Sequence, residues 1–167
     1  MPSAANLPLT CPINQVAPLL PHSGHMVLLD SVLAYDEHSL QASAIVKQNN
    51  ILLAGNAIPC FMGMEIVAQG IGAWAGIHAI NAGKPVGLGF LLGTRKLNLF
   101  ADSIPIGTHL HIEIAVSTQD SNGFGVFDCL LRWTDAPPEQ REQLPADGIL
   151  LQAALNVYSP PEAQSEH

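Results

Sequence analysis

Apolar and polar positions alternate along most of this chain, with one long stretch where they do not. That stretch is residues 59–82, PCFMGMEIVAQGIGAWAGIHAINA. Its large side chains (Phe61, Met62, Met64, Ile66, Val67, Ile71, Trp74, Ile77, Ile80) are interleaved with Gly and Ala and keep to no narrow stripe. That pattern predicts a helix buried on most sides. Each interior glycine costs about 1 kcal/mol relative to alanine, so close packing by another segment must offset it. Pro59 suits a first helical turn, where a missing N–H does no harm. Gly83 followed by Lys84-Pro85 reads as the stop. The helix holds one carboxylate, Glu65, and Gln69, Gly72 and Gly76 share its face. A carboxylate on a buried helix is costly unless it is paired or used. Glu65 either satisfies backbone N–H groups at the positive helix end or takes part in chemistry, and the residues leave both open.

Around this helix the pattern is that of strands. Residues 26–35 read as a strand broken near Asp30. Residues 39–47 put Leu40, Ala42, Ala44 and Val46 on one face, with Asp36-Glu37-His38 as the turn before them. Residues 51–58 lead into the helix. After it, residues 86–100 hold three glycines, which predicts bulges or a bend. Residues 108–118 alternate Leu110, Ile112, Ile114 and Val116 against polar neighbours. Asp120-Ser121-Asn122-Gly123 is a hairpin turn, answered by a strand over 124–134. A polar loop over 136–147 and a last strand over 148–158 follow. A short helical turn within 14–20 and a loop at 21–25 open the chain. The order predicts an α+β hotdog fold, a long central helix wrapped by a curved antiparallel sheet. The glycines of the helix and of 86–93 then mark places where backbones come close. One helix cannot hide all the apolar surface of such a sheet, so a side-by-side dimer is expected.

Size and charge narrow the picture. A chain of 167 residues fits a single domain, with a core over about 15–158. A net charge of -8 with only six basic residues argues against nucleic acid as a partner. Three cysteines without metal spacing argue against a disulfide scaffold and for a reducing, cytoplasmic setting. The first residues lack the basic start and apolar run of a signal peptide. The helix is long enough to cross a membrane, but Glu65, Gln69, His78, Asn81 and its glycines mark a soluble core helix. The polar, Pro-rich tail from residue 159 is expected to fray.

Three motifs carry a resemblance. LLPHSGHMVLLDSV at 19–32 resembles the LLPHRxPxLLVDRV opening of the beta-hydroxyacyl-acyl-carrier-protein dehydratases. GMEIVAQ at 63–69 resembles their helix motif, in which the catalytic Glu is followed by Ala-Gln. GLGFLLGTRKLNL at 87–99 resembles their next strand. The match covers about 19–158 with the motifs in order, and is closest to the ApeP-like branch encoded with bacterial aryl polyene pigment synthesis. It implies a lyase that dehydrates beta-hydroxyacyl thioesters on acyl carrier protein to trans-2-enoyl thioesters. It implies no metal or organic cofactor. One departure stands out: the related enzymes carry their catalytic His in a Gly-His-Phe-Pro-Gly motif before the helix. The same interval back from Glu65 lands on Ile51, and NNILLAGNAIPC holds no His.

Dehydration needs a base for the proton alpha to the carbonyl, an acid for the departing hydroxyl, and donors for the charge that builds on the thioester oxygen. A carboxyl taken out of water holds its proton more firmly, so a buried Glu65 is the candidate acid. His22, in the Pro-His loop that the resemblance puts by the substrate tunnel, is the first candidate base, and His25 the second. Each could instead be an ordinary loop His. The N–H groups at the start of the helix, at Cys60, Phe61, Met62 and Gly63, are candidate oxyanion donors, with Gln69 a candidate substrate contact. His78, His109 and His111 read as ordinary, the last two on a solvent face. Arg95 and Lys96, adjacent on an acidic protein, could receive an acidic carrier protein or be plain surface residues. Besides an active dehydratase, homodimeric or heterodimeric, two readings remain: an impaired hotdog subunit that pairs with an active one, and a hotdog acyl thioesterase.

Overall fold

The computed structural model describes residues 7–160. The N-terminal residues before 7 and the tail after 160, where fraying was expected, lie outside the described residues. Among the described residues, eight strands and one long helix form the fold: β1 (Ser31–Tyr35), β2 (Ser39–Ile45), β3 (Ala57–Pro59), α1 (Gly63–Asn81), β4 (Phe90–Leu99), β5 (Ser103–Pro105), β6 (His109–Gln119), β7 (Phe124–Asp135) and β8 (Ile149–Tyr158). Short 3-10 turns lie at Ala17–Leu19, Gly24–Met26, Cys60–Met62 and Pro138–Gln143. Six strands make one antiparallel sheet in the order β1-β2-β6-β7-β8-β4, and β3 pairs with β5.

The alternation in the sequence becomes rows across the sheet. Ala42, Ile112, Leu131 and Leu151 stand opposite one another on four neighbouring strands. All four are fully buried beneath α1. The next row, Gln41, Glu113, Leu130 and Gln152, faces the other way. On the helix side Ile66, Val67, Ile71 and Ile77 meet this surface, each almost fully buried and each contributing about 1.5–3 kcal/mol. By length and composition Cys60–Asn81 could cross a membrane, yet 61% of its most apolar window is buried inside the protein.

Helix and sheet approach closely where the helix has no side chain. A Cβ on Gly63 would lie 2.8 Å from Leu131 Cδ2, and one on Gly70 3.2 Å from Ile112 Cγ2. At Gly76 the contact is with backbone: an added Cβ would stand 1.9 Å from the carbonyl oxygen of Leu19. The helix ends as expected. Gly83 (φ +72°) donates its N–H to Ile80 at 2.9 Å, and the Lys84 N–H reaches Ala79 at 2.8 Å.

Some expectations shift. Pro59 closes β3 and caps a 3-10 turn, so α1 begins at Gly63. The first half of 26–35 is not strand, because Met26, Leu28 and Leu29 bond through their backbone to a helix side chain. β4 begins only at Phe90 and carries the expected bulges, near Gly93 and between Thr94 and Lys96. Gly87 and Gly93 border open space rather than a second backbone, because β4 is a sheet edge. His111 is half-buried rather than solvent-facing, and its Nε2 lacks a partner.

Candidate active site

A cavity of about 720 Å³ runs along one face of α1. Its floor is Glu65, Ala68, Gln69, Gly72, Ala75, Gly76 and Ala79, a single helical stripe. From Glu65 to Ala79 that floor spans about 21 Å at 1.5 Å per residue. Pro21, His22, Met26 and Leu28 form one wall. Ile51, Leu52 and Met62 add another part, and Lys84, Leu88, Leu91, Val157 and Ser159 complete it. Small floor residues and apolar walls make a long slot with few polar groups, a shape suited to an extended acyl chain.

His22 and Glu65 both line this cavity. Both are exposed in the single chain, and Glu65 is the one exposed residue of α1. The burial expected of it is absent because the helix turns its 65–79 face away from the sheet, toward the cavity. His25 lies off the cavity, with Nδ1 3.4 Å from Asn49 Nδ2. Ile51, at the position where the related dehydratases keep their base, is itself part of the cavity wall and 47% exposed. By its sequence interval from Glu65, an apolar side chain thus takes the place at which the resemblance implies an imidazole.

Of the expected oxyanion donors, two are engaged within the chain. The Cys60 N–H donates to Asp102 at 3.0 Å, and the Gly63 N–H donates to the Cys60 carbonyl. The N–H groups of Phe61 and Met62 are the other two. Met62 lines the cavity, whereas the Phe61 side chain is exposed outside it. The Cys60 thiol donates to the Leu150 carbonyl at 3.3 Å, and burial pushes its pKa up. Cys129 is pushed up to about 12 by the same cause. Neither thiol is placed as a nucleophile.

Gln69 lines the cavity floor but is largely buried, with its amide bonded to backbone. Its Oε1 accepts the N–H groups of Leu28 (2.6 Å) and Leu29 (3.2 Å), and its Nε2 donates to Met26 O (2.7 Å). Arg95 and Lys96 are exposed on β4. Lys96 borders a depression on the outer sheet face beside Glu113 and Asp128, not the helix cavity. His78 donates through Nε2–H to the Asp36 carbonyl at 2.9 Å, and Trp74 Nε1 donates to the same oxygen at 3.1 Å. Sequence reasoning missed Ala68, Ala75 and Ala79 as cavity floor, although their helical spacing from Glu65 was the signal that could have found them.

The chain matches the ApeP-like family of ApeP dehydratases over residues 14–167. No curated protein matches it significantly. Among solved structures it resembles the dehydratase heterocomplex ApeI:P from Xenorhabdus doucetiae, with 25% identity, a TM-score of 0.75, and coverage of 93% of this chain and 95% of that one. A hypothetical thioesterase from Streptococcus pneumoniae solved with coenzyme A shares the fold at 12% identity and TM-score 0.53, over 77% of this chain and 86% of that one. The PaaI protein of E. coli does so at 11% and 0.50, over 76% and 80%. The cavity-bearing helix inside an antiparallel sheet and the near full-length match agree: this chain is a hotdog-fold member of the ApeP-like dehydratase family.

Proposed function

We propose that this protein removes water from beta-hydroxyacyl groups held as thioesters on an acyl carrier protein, giving trans-2-enoyl thioesters. The observation that carries the reading is the long apolar cavity with His22 and Glu65 on its walls. Neither side chain has a hydrogen-bond partner among the described residues. In the proposed step a His22 ring nitrogen takes the alpha proton, and the C–H pair moves into the new C=C bond. The beta C–O bond breaks, and Glu65 supplies the proton with which the hydroxyl leaves as water. The N–H groups of Phe61 and Met62 are assigned to the thioester oxygen.

The acid role of Glu65 requires that it be taken out of water, which the single chain does not do. A bound acyl chain together with a second hotdog subunit would. β4 is the sheet edge beside the cavity, and it and its approach expose Leu88, Phe90, Leu91 and Leu92. A second reading follows from Ile51: the chain would be an impaired subunit that lends a cavity wall to an active hotdog partner. Thioester hydrolysis has only fold likeness behind it.

The test is a mass measurement on a carrier protein loaded with beta-hydroxyacyl chains, offered to the protein alone and with a second hotdog dehydratase subunit. Loss of one water with the protein alone supports the first reading. Loss only with the partner supports the second. No loss in either setting overturns the dehydratase proposal.

Arg95 and Lys96 are the proposed docking point for the acidic carrier. The double reversal Arg95→Glu with Lys96→Glu is expected to raise KM for carrier-bound substrate about tenfold, with kcat retained and the difference fading in high salt. Steady-state kinetics at two ionic strengths checks this, and an unchanged KM would remove the assignment.

A further inference from the structure

We infer that Gln69 is a positioning residue that fixes the arch carrying His22 against the cavity, and through it sets the rate of the proposed proton transfer. The inference rests on His22 acting as the base. Gln69 is 6% exposed, and with Thr108 it is one of two buried polar side chains among the described residues. Its amide serves three backbone groups of one short stretch some 40 residues away: Met26 O, Leu28 N and Leu29 N. With two N–H groups on Oε1, the carbonyl end is filled, so it has no acceptor capacity to spare for substrate.

A second anchor lies on the same helix. The Leu19 carbonyl sits on Gly76, and Leu20 Cδ2 is 3.4 Å from where a Gly72 Cβ would be. Residues 20–25 therefore form an arch whose feet, at Leu19 and Met26, are both tied to the helix that carries Glu65. Within the arch Gly24 adopts φ +57°, which favours glycine, and starts the 3-10 turn Gly24–Met26. The Met26 N–H closes on Ser23 O at 3.1 Å. Removing the amide would leave three backbone groups without their partner at one foot, while the Gly76 foot would stay. The arch would then loosen from the Met26 side, and His22 with it.

Two variants test this. Gln69→Met keeps length and apolar bulk but removes all three bonds. Gln69→Glu keeps the acceptors for Leu28 and Leu29 and loses the donor to Met26; it carries the test if Gln69→Met does not fold. Hydrogen exchange at the Met26 and Val27 N–H groups, which close the arch's turn on Ser23 and Gly24, and the pH profile of kcat are read together. The expected result in Gln69→Met is exchange about tenfold faster at the Met26 and Val27 N–H groups, with the sheet unchanged. A fall in kcat of about tenfold or more at little-changed KM and a displaced acid limb of the profile should accompany it. Gln69→Glu should fall between Gln69→Met and the wild type. Unchanged exchange at Met26 and Val27 would overturn the inference. Faster exchange with kcat and its pH profile unmoved would overturn it too. If His22→Ala then also kept full activity, the base assignment would be what had failed.

Discussion

Glu65→Gln is expected to slow water loss by about 10²- to 10⁴-fold, the usual worth of a positioned general acid or base, without lowering the melting temperature. The amide has nearly the shape of the carboxyl but can neither give nor take the proton. Glu65 is exposed and has no hydrogen-bond partner among the described residues, so nothing structural is given up in the exchange. Single-turnover mass measurement and a thermal melt on the same sample check both halves. A lower melting temperature with full activity would assign Glu65 to holding the helix start, the other role open to a carboxylate there.

Gly76→Ala should destabilise the protein, although a helix-interior Gly→Ala normally stabilises by about 1 kcal/mol. The sign reverses because the added Cβ would stand 1.9 Å from the Leu19 carbonyl oxygen, and backbone cannot move aside as a side-chain tip can. Overpacking of this kind costs about 1–3 kcal/mol, and in a chain this size each kcal/mol lowers the melting temperature by about 2–4 °C. Gly72→Ala is the control. Its nearest neighbour, Leu20 Cδ2, lies 3.4 Å off at ordinary contact, so the variant should melt at or slightly above the wild type. If Gly76→Ala also melted there, the 17–20 segment would not be pressed on the helix as described. The same variant should disturb the His22 arch, whose first foot is that contact.

The parts of the fold legible in the sequence were those written in periodicity. Leu40, Ala42, Ala44 and Val46 alternate because β2 buries one face, and the 59–82 stretch lacks a stripe because the sheet wraps most of α1. What stayed hidden depends on contacts distant in the chain. β3 and β5 are three residues each, too short for any period to show. Residues 26–29 look like a strand, but Gln69 claims their backbone groups from another element. The apolar character of the helix suggested a buried Glu65, whereas the open cavity lies along the face where the residues are smallest. The shared cavity of His22 and Glu65, 43 residues apart in the sequence, follows from how the 17–29 segment crosses the helix. No spacing rule carries that information, and only the resemblance placed the Pro-His loop near the tunnel.

The most direct test of a His22 base is the rate of water loss by His22→Ala against the wild type, under the same carrier-bound substrate and with any partner subunit the wild type requires. His22 is exposed and without a hydrogen-bond partner among the described residues, so the variant should keep its fold. A drop of about 100-fold or more is the expected result. A His22→Ala protein that turns over at the wild-type rate would contradict it, and would assign the proton transfer to a group other than His22.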